Sequence, residues 1–392
     1  MKVLYISAVY PWPLTSGGQV RMYNLLKRLS THHEITLLPF IRDSSEVAYD
    51  THLPFLKKVI PVMRGKAFQP KYLIPGILGA SSMLSTTYDN AKMRQLIESE
   101  LANGEYDLVH IEPFYVIPSL PKTMAVPLVV GEHNIEYDVY QQFAVRQPPY
   151  LRPLLIRDST RIRKEEESAW RRADHVIAVS DDDAQIISSV AGVGRVTTVT
   201  NGVDTDFFKY RGRTVPSHTL QALFVGNFSW MPNVDAVKTL LADVWPDIHE
   251  HHHKATLTII GKNLPKQIEK SLPPSVTYKS DVPDIRTAFD ASDVLLAPMG
   301  VSGGSKYKIL EALAVGVPVI TTKEGVLGLS IKPGVHAMVA RDSHDMNDVV
   351  HRLIAHPDET RAMTAAGRHM VESSYDWAPL SSIQNTVWNA CI

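Results

Sequence analysis

Apolar positions along this chain fall into short runs, and between the runs apolar residues recur every three or four positions. Runs of the first kind read as buried strands and the second pattern reads as helices with one apolar face. Val3–Ser7, Glu34–Leu38, Asp107–Ile111, Val126–Val130, His175–Val179 and Val196–Thr200 predict strands in the first half. Ala222–Val225, Ala255–Ile260, Val276–Lys279, Asp293–Ala297 and Val317–Thr322 predict them in the second. Helices are predicted at Gln19–Leu29, Arg152–Arg172 and Asp181–Ala191, and from Trp230 to near Trp245. Others follow at Ser305–Val315, Ser343–Ala355, Asp358–Ser373 and Trp377–Cys391. Strand and helix in alternation imply parallel sheets and an α/β fold. Residues 42–104 break the pattern, because Pro54, Pro61, Pro70 and Pro75 interrupt weak apolar patches and suggest short helices and loops.

Composition changes this picture in few places. A chain of 392 residues is long enough for two domains, each with its own core. Lys+Arg 40 against Asp+Glu 41 leaves a net charge of −1, which argues against a nucleic-acid partner. The single cysteine, Cys391, excludes an internal disulfide framework and a cysteine metal site, and fits a reducing, cytoplasmic setting. The opening apolar run is cut by Pro11-Trp12-Pro13 and reads as a buried strand; no run reaches the ~18 apolar residues of a membrane span. The Arg- and Glu-rich stretch 152–172 reads as a solvated face with internal ion pairs, or as a basic surface for peripheral membrane contact. His249, His251, His252 and His253 read as a solvated helix end rather than a metal site.

The chemistry concentrates between Asp293 and Leu329. There a strand leads through Gly300, Gly303 and Gly304 into a helix stopped by Gly316, and a second strand leads into a loop with Gly325 and Gly328. Strand, tight loop and helix place free N–H groups and the positive helix end where an anion docks. With Ser305 as N-cap, Lys306 and Lys308 fall in the first turn, where the macrodipole disfavours a cation by up to about 1 kcal/mol. A diphosphate between them supplies charge-assisted contacts of roughly 1.5–3 kcal/mol each. Ile309, Leu310, Leu313 and Ala314 form the buried stripe and leave Glu311 on another face, suited to ribose hydroxyls. The same spacing also allows an exposed i,i+3 ion pair between Lys308 and Glu311.

Two further groups sit where ligands of open parallel sheets bind, beyond the carboxyl ends of strands. Gly17-Gly18 precedes a helix and allows close approach of a phosphate, or is only a turn. His110, Glu112, Glu132, His133 and Asn134 lie at two strand ends, as ligand-facing or structural residues.

Gly303 through Thr321 closely resembles the donor-binding signature of the retaining, nucleotide-sugar-dependent enzymes of glycosyltransferase family 4. Asn201–Phe207 resembles the family's N-G-V-D-x-x-x-F, and His133 to Glu136 its H-N-x-E. The resemblance implies a GT-B fold: two Rossmann-like domains facing a central cleft, with the C-terminal helix crossing back to the N-terminal domain. It implies an acceptor-side domain over residues 1–208 with helix 375–392, a donor domain over 209–374, and a linker at Lys209–Thr219. It also implies a nucleotide-diphosphate-sugar donor and transfer of a hexose-type sugar to a glycan, lipid-linked or small-molecule acceptor, with no cofactor and no metal.

Roles follow from the same resemblance. Lys306, Lys308 and the Gly303-Gly304-Ser305 backbone would hold the diphosphate, with Gly17 and Gly18 facing it. Glu311 would hold the ribose, Val282 border the base, and Glu324-Gly325-Val326-Leu327 contact sugar or phosphate. His133 would stand near the donor sugar, and His110, Glu112, Glu132 and Asn134 on the acceptor side. The sequence departs from the family at two points. Asn227, Ser229 and Trp230 replace the phosphate-binding Arg and Lys, which shifts that work to Lys306 and Lys308 with Lys262 as a third candidate. Gly303 stands where many relatives carry the first of two glutamates. A noncatalytic nucleotide-sugar-binding partner subunit and a sugar-nucleotide epimerase of the same fold remain as alternatives.

Overall fold

Two parallel sheets organise the chain in the computed structural model, which describes residues 1–65, 69–79, 81–212, 219–300 and 306–392. Contacts divide the chain into one unit of Met1–Asn201 with Leu380–Ile392 and a second of Gly202–Pro379.

Among the described residues, the first sheet contains β1 (Lys2–Ser7), β2 (Glu34–Ile41), β3 (Lys58–Val59), β4 (Val62–Met63), β5 (Leu108–Glu112), β6 (Leu128–Gly131), β7 (His175–Ala178) and β8 (Val196–Thr198). Their order is β3-β2-β1-β5-β6-β7-β8, with β4 paired to the far end of β2, and every pairing is parallel. Val3, Leu4 and Ile6 of the central strand are fully buried, as both faces of such a sheet must be when helices cover them. The register Ser7↔Glu112 and Ser7↔Pro39 brings the ends of β1, β5 and β2 to one edge. Glu112 and the segment after Gly131 therefore share that edge with the start of the Gly17–Leu29 helix, which Ser16 caps.

The second sheet holds β9 (Gln221–Val225), β10 (Thr256–Ile260), β11 (Val276–Lys279), β12 (Val294–Ala297), β13 (Val319–Thr322) and β14 (Met338–Ala340). They run in the order β11-β10-β9-β12-β13-β14, again all parallel. Two Rossmann-like domains of parallel strands are thus present. Strands β3, β4 and β14 and the helix Glu136–Val145 are additions to the sequence expectation. Residues 202–208 pack with the second unit: Val203 N–H donates to Tyr375 O at 2.8 Å, and Thr205 bonds Asp376.

The Arg152–Arg172 helix carries the expected internal ion pairs, Glu167 with Arg163 at 2.8 Å and with Arg171 at 3.0 Å, but it is not only a solvated face. Glu165 accepts hydrogen bonds from Ser82 N–H at 2.8 Å and from the Ser82 and Ser85 hydroxyls, and Asp158 accepts from Met83 N–H at 3.0 Å. These carboxylates cap the Met83–Tyr88 helix at its positive end. Glu166, fully buried, does the same for Glu136–Val145, accepting from Glu136 N–H at 2.8 Å and Tyr137 N–H at 3.0 Å. Among the described residues no helix is long and apolar enough to cross a membrane.

Candidate functional site

In the second unit, β12 and β13 are completely buried along their length and deliver their chain ends to one edge of the sheet. The helix after β12 spans Tyr307–Val315, is capped at its end by Gly316 at φ 84°, and buries Ile309, Leu310, Leu313 and Ala314 as the stripe predicts. Its start corrects the sequence reading. Lys306 itself occupies the N-cap position in the left-handed region, φ 50°, so only Lys308 lies within the first turn. Gly303, Gly304 and Ser305, including the expected N-cap, lie outside the described residues, as does most of the linker at 213–218.

Both lysines and the glutamate are half-buried, so Lys308 and Glu311 are not an exposed surface pair. Lys308 Nζ donates to Asn233 Oδ1 at 2.6 Å and stands 4.5 Å from the centre of the Phe224 ring. Burial pulls its pKa down to about 7, against the opposing pull of Glu311. Burial likewise pushes Glu311 up to about 7, with Lys308 holding it back. Lys306 Nζ donates to the carbonyl of Glu324 at 2.8 Å, and burial lowers its pKa to about 8. All three ionisable groups give up solvation, and that loss moves each pKa toward neutrality.

Neighbouring segments complete this edge. Glu324, Gly325 and Val326 form the single helical turn Lys323–Val326 directly after β13; Gly325 is buried and Leu327 exposed. A side chain at position 325 would collide with Thr321 Oγ1, which is bonded to the Ala297 carbonyl and cannot yield freely. Val282 packs on the core between β11 and the following helix. Lys262 is exposed and paired at 3.8 Å with Asp281. Asn233 was missed in the sequence reading. Its signal was a polar residue in the first turn of the helix after β9, where the chain turns back toward the strand ends.

In the first unit the structure gathers His110, Glu112 and His133 and adds Arg21. His133 Nε2 lies 2.6 Å from Glu112 Oε1, Arg21 Nε 3.4 Å from the same oxygen, and His110 Nε2 3.7 Å from Oε2. Gly18 makes room for this arrangement, since a Cβ there would come within 2.7 Å of the His133 ring. His110 accepts a hydrogen bond on Nδ1 from Trp388 Nε1 at 3.1 Å and stacks on Tyr5. Burial, with the Arg21 charge and the His133 ring nearby, lowers its pKa to about 3, so the ring is neutral. Arg21 could have been suspected as a charge on the buried face of the Gly17–Leu29 helix.

Two acceptor-side candidates do not join the group. Glu132 turns into the core, accepting from Trp170 Nε1 at 2.8 Å and Phe114 N–H at 3.4 Å. Burial and the nearby Glu166 push its pKa well up, which makes it a neutral core carboxyl and no partner for Glu112. Asn134 is exposed and lies beside Glu136 rather than Glu112. The histidines near His251 pack ring against ring with His351, and no trio of metal-ligating side chains occurs among the described residues.

The family description "Glycosyltransferase Family 4" matches residues 15–207, and "Glycosyl transferases group 1" matches residues 219–356. A D-inositol 3-phosphate glycosyltransferase of Thermobifida fusca is 25% identical over 302 residues, 69% of this chain and 67% of that protein. Sucrose-phosphate synthase from Thermosynechococcus elongatus superposes with a TM-score of 0.75 at 18% identity, covering 100% of this chain and 99% of the other. Anabaena Alr3699/HepE in complex with UDP-glucose gives 0.64 at 15% identity, covering both chains completely. The two-domain α/β architecture is that of the GT-B glycosyltransferases. Within that class the chain belongs to the group 1, family 4 glycosyltransferases, which use nucleotide sugars.

Proposed function

We propose that this chain is a retaining, metal-independent transferase that moves a hexose-type sugar from a nucleotide diphosphate sugar to a hydroxyl of a glycan, lipid-linked or small-molecule acceptor. The observation that carries the reading is the half-buried Lys306, Lys308 and Glu311 cradle at the strand ends of the second sheet. Breaking the anomeric C–O bond leaves charge on the departing diphosphate, and fixed cations in a desolvated site stabilise it without reorganising. Lys306 and Lys308 serve the diphosphate and Glu311 the ribose, while Gly17 and Gly18 approach the phosphates with backbone alone. The acceptor oxygen bonds the anomeric carbon from the face the diphosphate leaves, and its proton passes to the departing phosphate oxygen. His133, steadied by Glu112, is the group of the first unit assigned to the transferred sugar. The UDP-glucose bound by the Anabaena protein supports a nucleotide-sugar donor. Val282 and the turn Lys323–Val326 are assigned to the base and to the sugar or phosphate.

The test is turnover of UDP-, GDP- and TDP-sugars with candidate acceptors, with the product anomer read by NMR. Retention of configuration, dependence on acceptor and loss of turnover in Lys308→Met are expected. Product formed without acceptor identifies the epimerase reading, and binding without turnover identifies the partner subunit.

A further inference from the structure

The turn that joins the Glu136–Val145 helix to the Arg152–Arg172 helix mixes aromatic, aliphatic and cationic side chains at the surface. Phe143, Val145, Tyr150, Leu151 and Ile156 are all exposed, Tyr150 at 79%. Arg146, Arg152 and Arg157 are exposed among them. No acidic residue occurs between Asp138 and Asp158, so the turn is purely cationic. Local bonds keep it compact: Gln147 N–H donates to Ala144 O at 3.1 Å, Leu151 N–H to Pro148 O at 2.9 Å, and Arg152 Nε to Gln147 O at 2.7 Å. Single exposed apolar residues need no explanation, but a group of them on one tight turn does.

Next to this turn is a surface cavity of about 430 Å³, lined by Gly79, Arg157, Arg161, Lys164 and Glu165 among others. Positions 157, 161 and 164 follow i, i+4, i+7 spacing, so one helix face presents all three cations to it. Arg161 donates to the carbonyls of Gly76 and Gly79, which seats the end of the Pro70–Leu78 helix against this face. Ile74 and Leu78, one turn apart on that helix, are 55% and 80% exposed and add apolar surface on the cavity's other side. Glu165 is spent on Ser82 and Ser85. Arg157 and Lys164 are exposed and make no hydrogen bond or ion pair among the described residues. The cavity therefore holds two accessible cations whose charge nothing in the first unit answers.

Resting on the transferase reading above, we propose that this face of the first unit docks on an anionic lipid bilayer, with a headgroup phosphate in the cavity, and that the acceptor is of the lipid-linked class. Apolar side chains beside a basic surface enter the headgroup layer while the cations meet lipid phosphate. Tyr150 suits that boundary, with an apolar ring and a polar tip. A soluble polyanion would leave Leu78, Phe143 and Tyr150 in water, and a neutral apolar protein face would leave Arg157 and Lys164 unanswered. His133 stands just before the Glu136–Val145 helix, whose 10 residues span about 15 Å, so the bilayer contact lies one short helix from the edge that carries His133.

The test is flotation of the full chain with vesicles of phosphatidylcholine alone and of equal parts phosphatidylcholine and phosphatidylglycerol, without sugar nucleotide. Binding is expected to the anionic vesicles only, and to weaken as salt is added. Leu78→Ser with Tyr150→Ser, and separately Arg157→Gln with Lys164→Gln, should each lower vesicle affinity about tenfold or more. All four side chains are exposed, so both variants should keep the parent's circular dichroism. Equal vesicle binding by the parent and both variants overturns the proposal. So does displacement of the vesicles by inorganic phosphate at the same phosphate concentration, which would make the occupant a soluble anion. Self-association of the parent without vesicles, abolished in both variants, would make the occupant a second copy and overturns it too. Vesicle binding with no sugar transfer to any acceptor would remove the transferase reading and leave the docking face standing, whereas transfer to soluble acceptors with no vesicle binding would do the reverse.

Discussion

Lys308 gives up solvation to hold its place: a 2.6 Å bond to Asn233 and the Phe224 face are poor substitutes for water, and its pKa falls to about 7. Its folded pKa lies below the unfolded value, so the unfolded chain binds the extra proton, and folding is opposed below about pH 10 and most strongly below about 7. The same loss of solvation strengthens its hold on a diphosphate. Affinity for a UDP-sugar, whose diphosphate does not titrate near neutrality, should fall as pH rises through 7 to 8, when Lys308 and then Lys306 lose their protons in the free protein. Calorimetry from pH 6 to 9 in Glu311→Gln isolates this limb from the opposing ionisation of Glu311. Lys308→Met should weaken the donor by roughly 10- to 100-fold and leave the unliganded protein as stable or more so. A pH-independent affinity would contradict the assignment. Gly18 supports a second prediction at this scale. Gly18→Ala places a methyl 2.7 Å from the His133 ring and must push it off Glu112, so kcat should drop on the order of 100-fold with circular dichroism unchanged. Sequence alone exposed Lys306, Lys308, Glu311 and His133 because they fall in motifs of fixed spacing. Arg21 and Asn233 stayed hidden because each meets its charged partner, Glu112 and Lys308, across a long stretch of chain.

Elements were legible where local chemistry decides them. The Tyr307–Val315 helix shows an apolar stripe and a glycine stop, and both are present. Its start was misread because a left-handed N-cap is usually announced by Gly or Asn, whereas here a lysine takes that conformation while reaching the Glu324 carbonyl. The Glu136–Val145 helix was invisible for the opposite reason. Its own N-cap, Ile135, makes no side-chain bond, and the cap comes from Glu166, 29 and 30 positions away. A carboxylate on two free N–H groups replaces the local Ser or Asp that sequence rules look for. Glu166→Ala should therefore cost about 1–3 kcal/mol in urea unfolding, far more than a surface glutamate, because two buried donors are left unsatisfied. A cost within about 0.5 kcal/mol would return Glu166 to the solvated face that composition suggested.

At the scale of the whole chain, the sequence pattern shows two sets of strands but not that the first unit is discontinuous; that expectation came from resemblance, since Trp377–Ala390 reads simply as one more amphipathic helix. Its later residues belong to the first unit. Trp388 is fully buried and donates to His110 Nδ1, and Asn385 Oδ1 lies 2.6 Å from His33 Nε2. The bond from Trp388 leaves the His110 proton on Nε2, facing Glu112, so the last turns of the chain reach the His133 group through one neutral imidazole. Trp388→Ala should cost the first unit about 3–5 kcal/mol, while Trp388→Phe, which keeps most of the packing, should lose chiefly the hydrogen bond, about 1 kcal/mol. Lys308 and Glu311 lie in the other unit, so a UDP-sugar at 100 times its Kd should still raise that unit's stability by about 2.7 kcal/mol in the Ala variant. Calorimetric melts would then show the early transition lowered by the substitution and the later one raised by nucleotide. If Trp388→Ala instead abolished the nucleotide-induced shift, Lys306, Lys308 and Glu311 would not by themselves hold the nucleotide, and the assignment of the diphosphate chiefly to the second unit would fail.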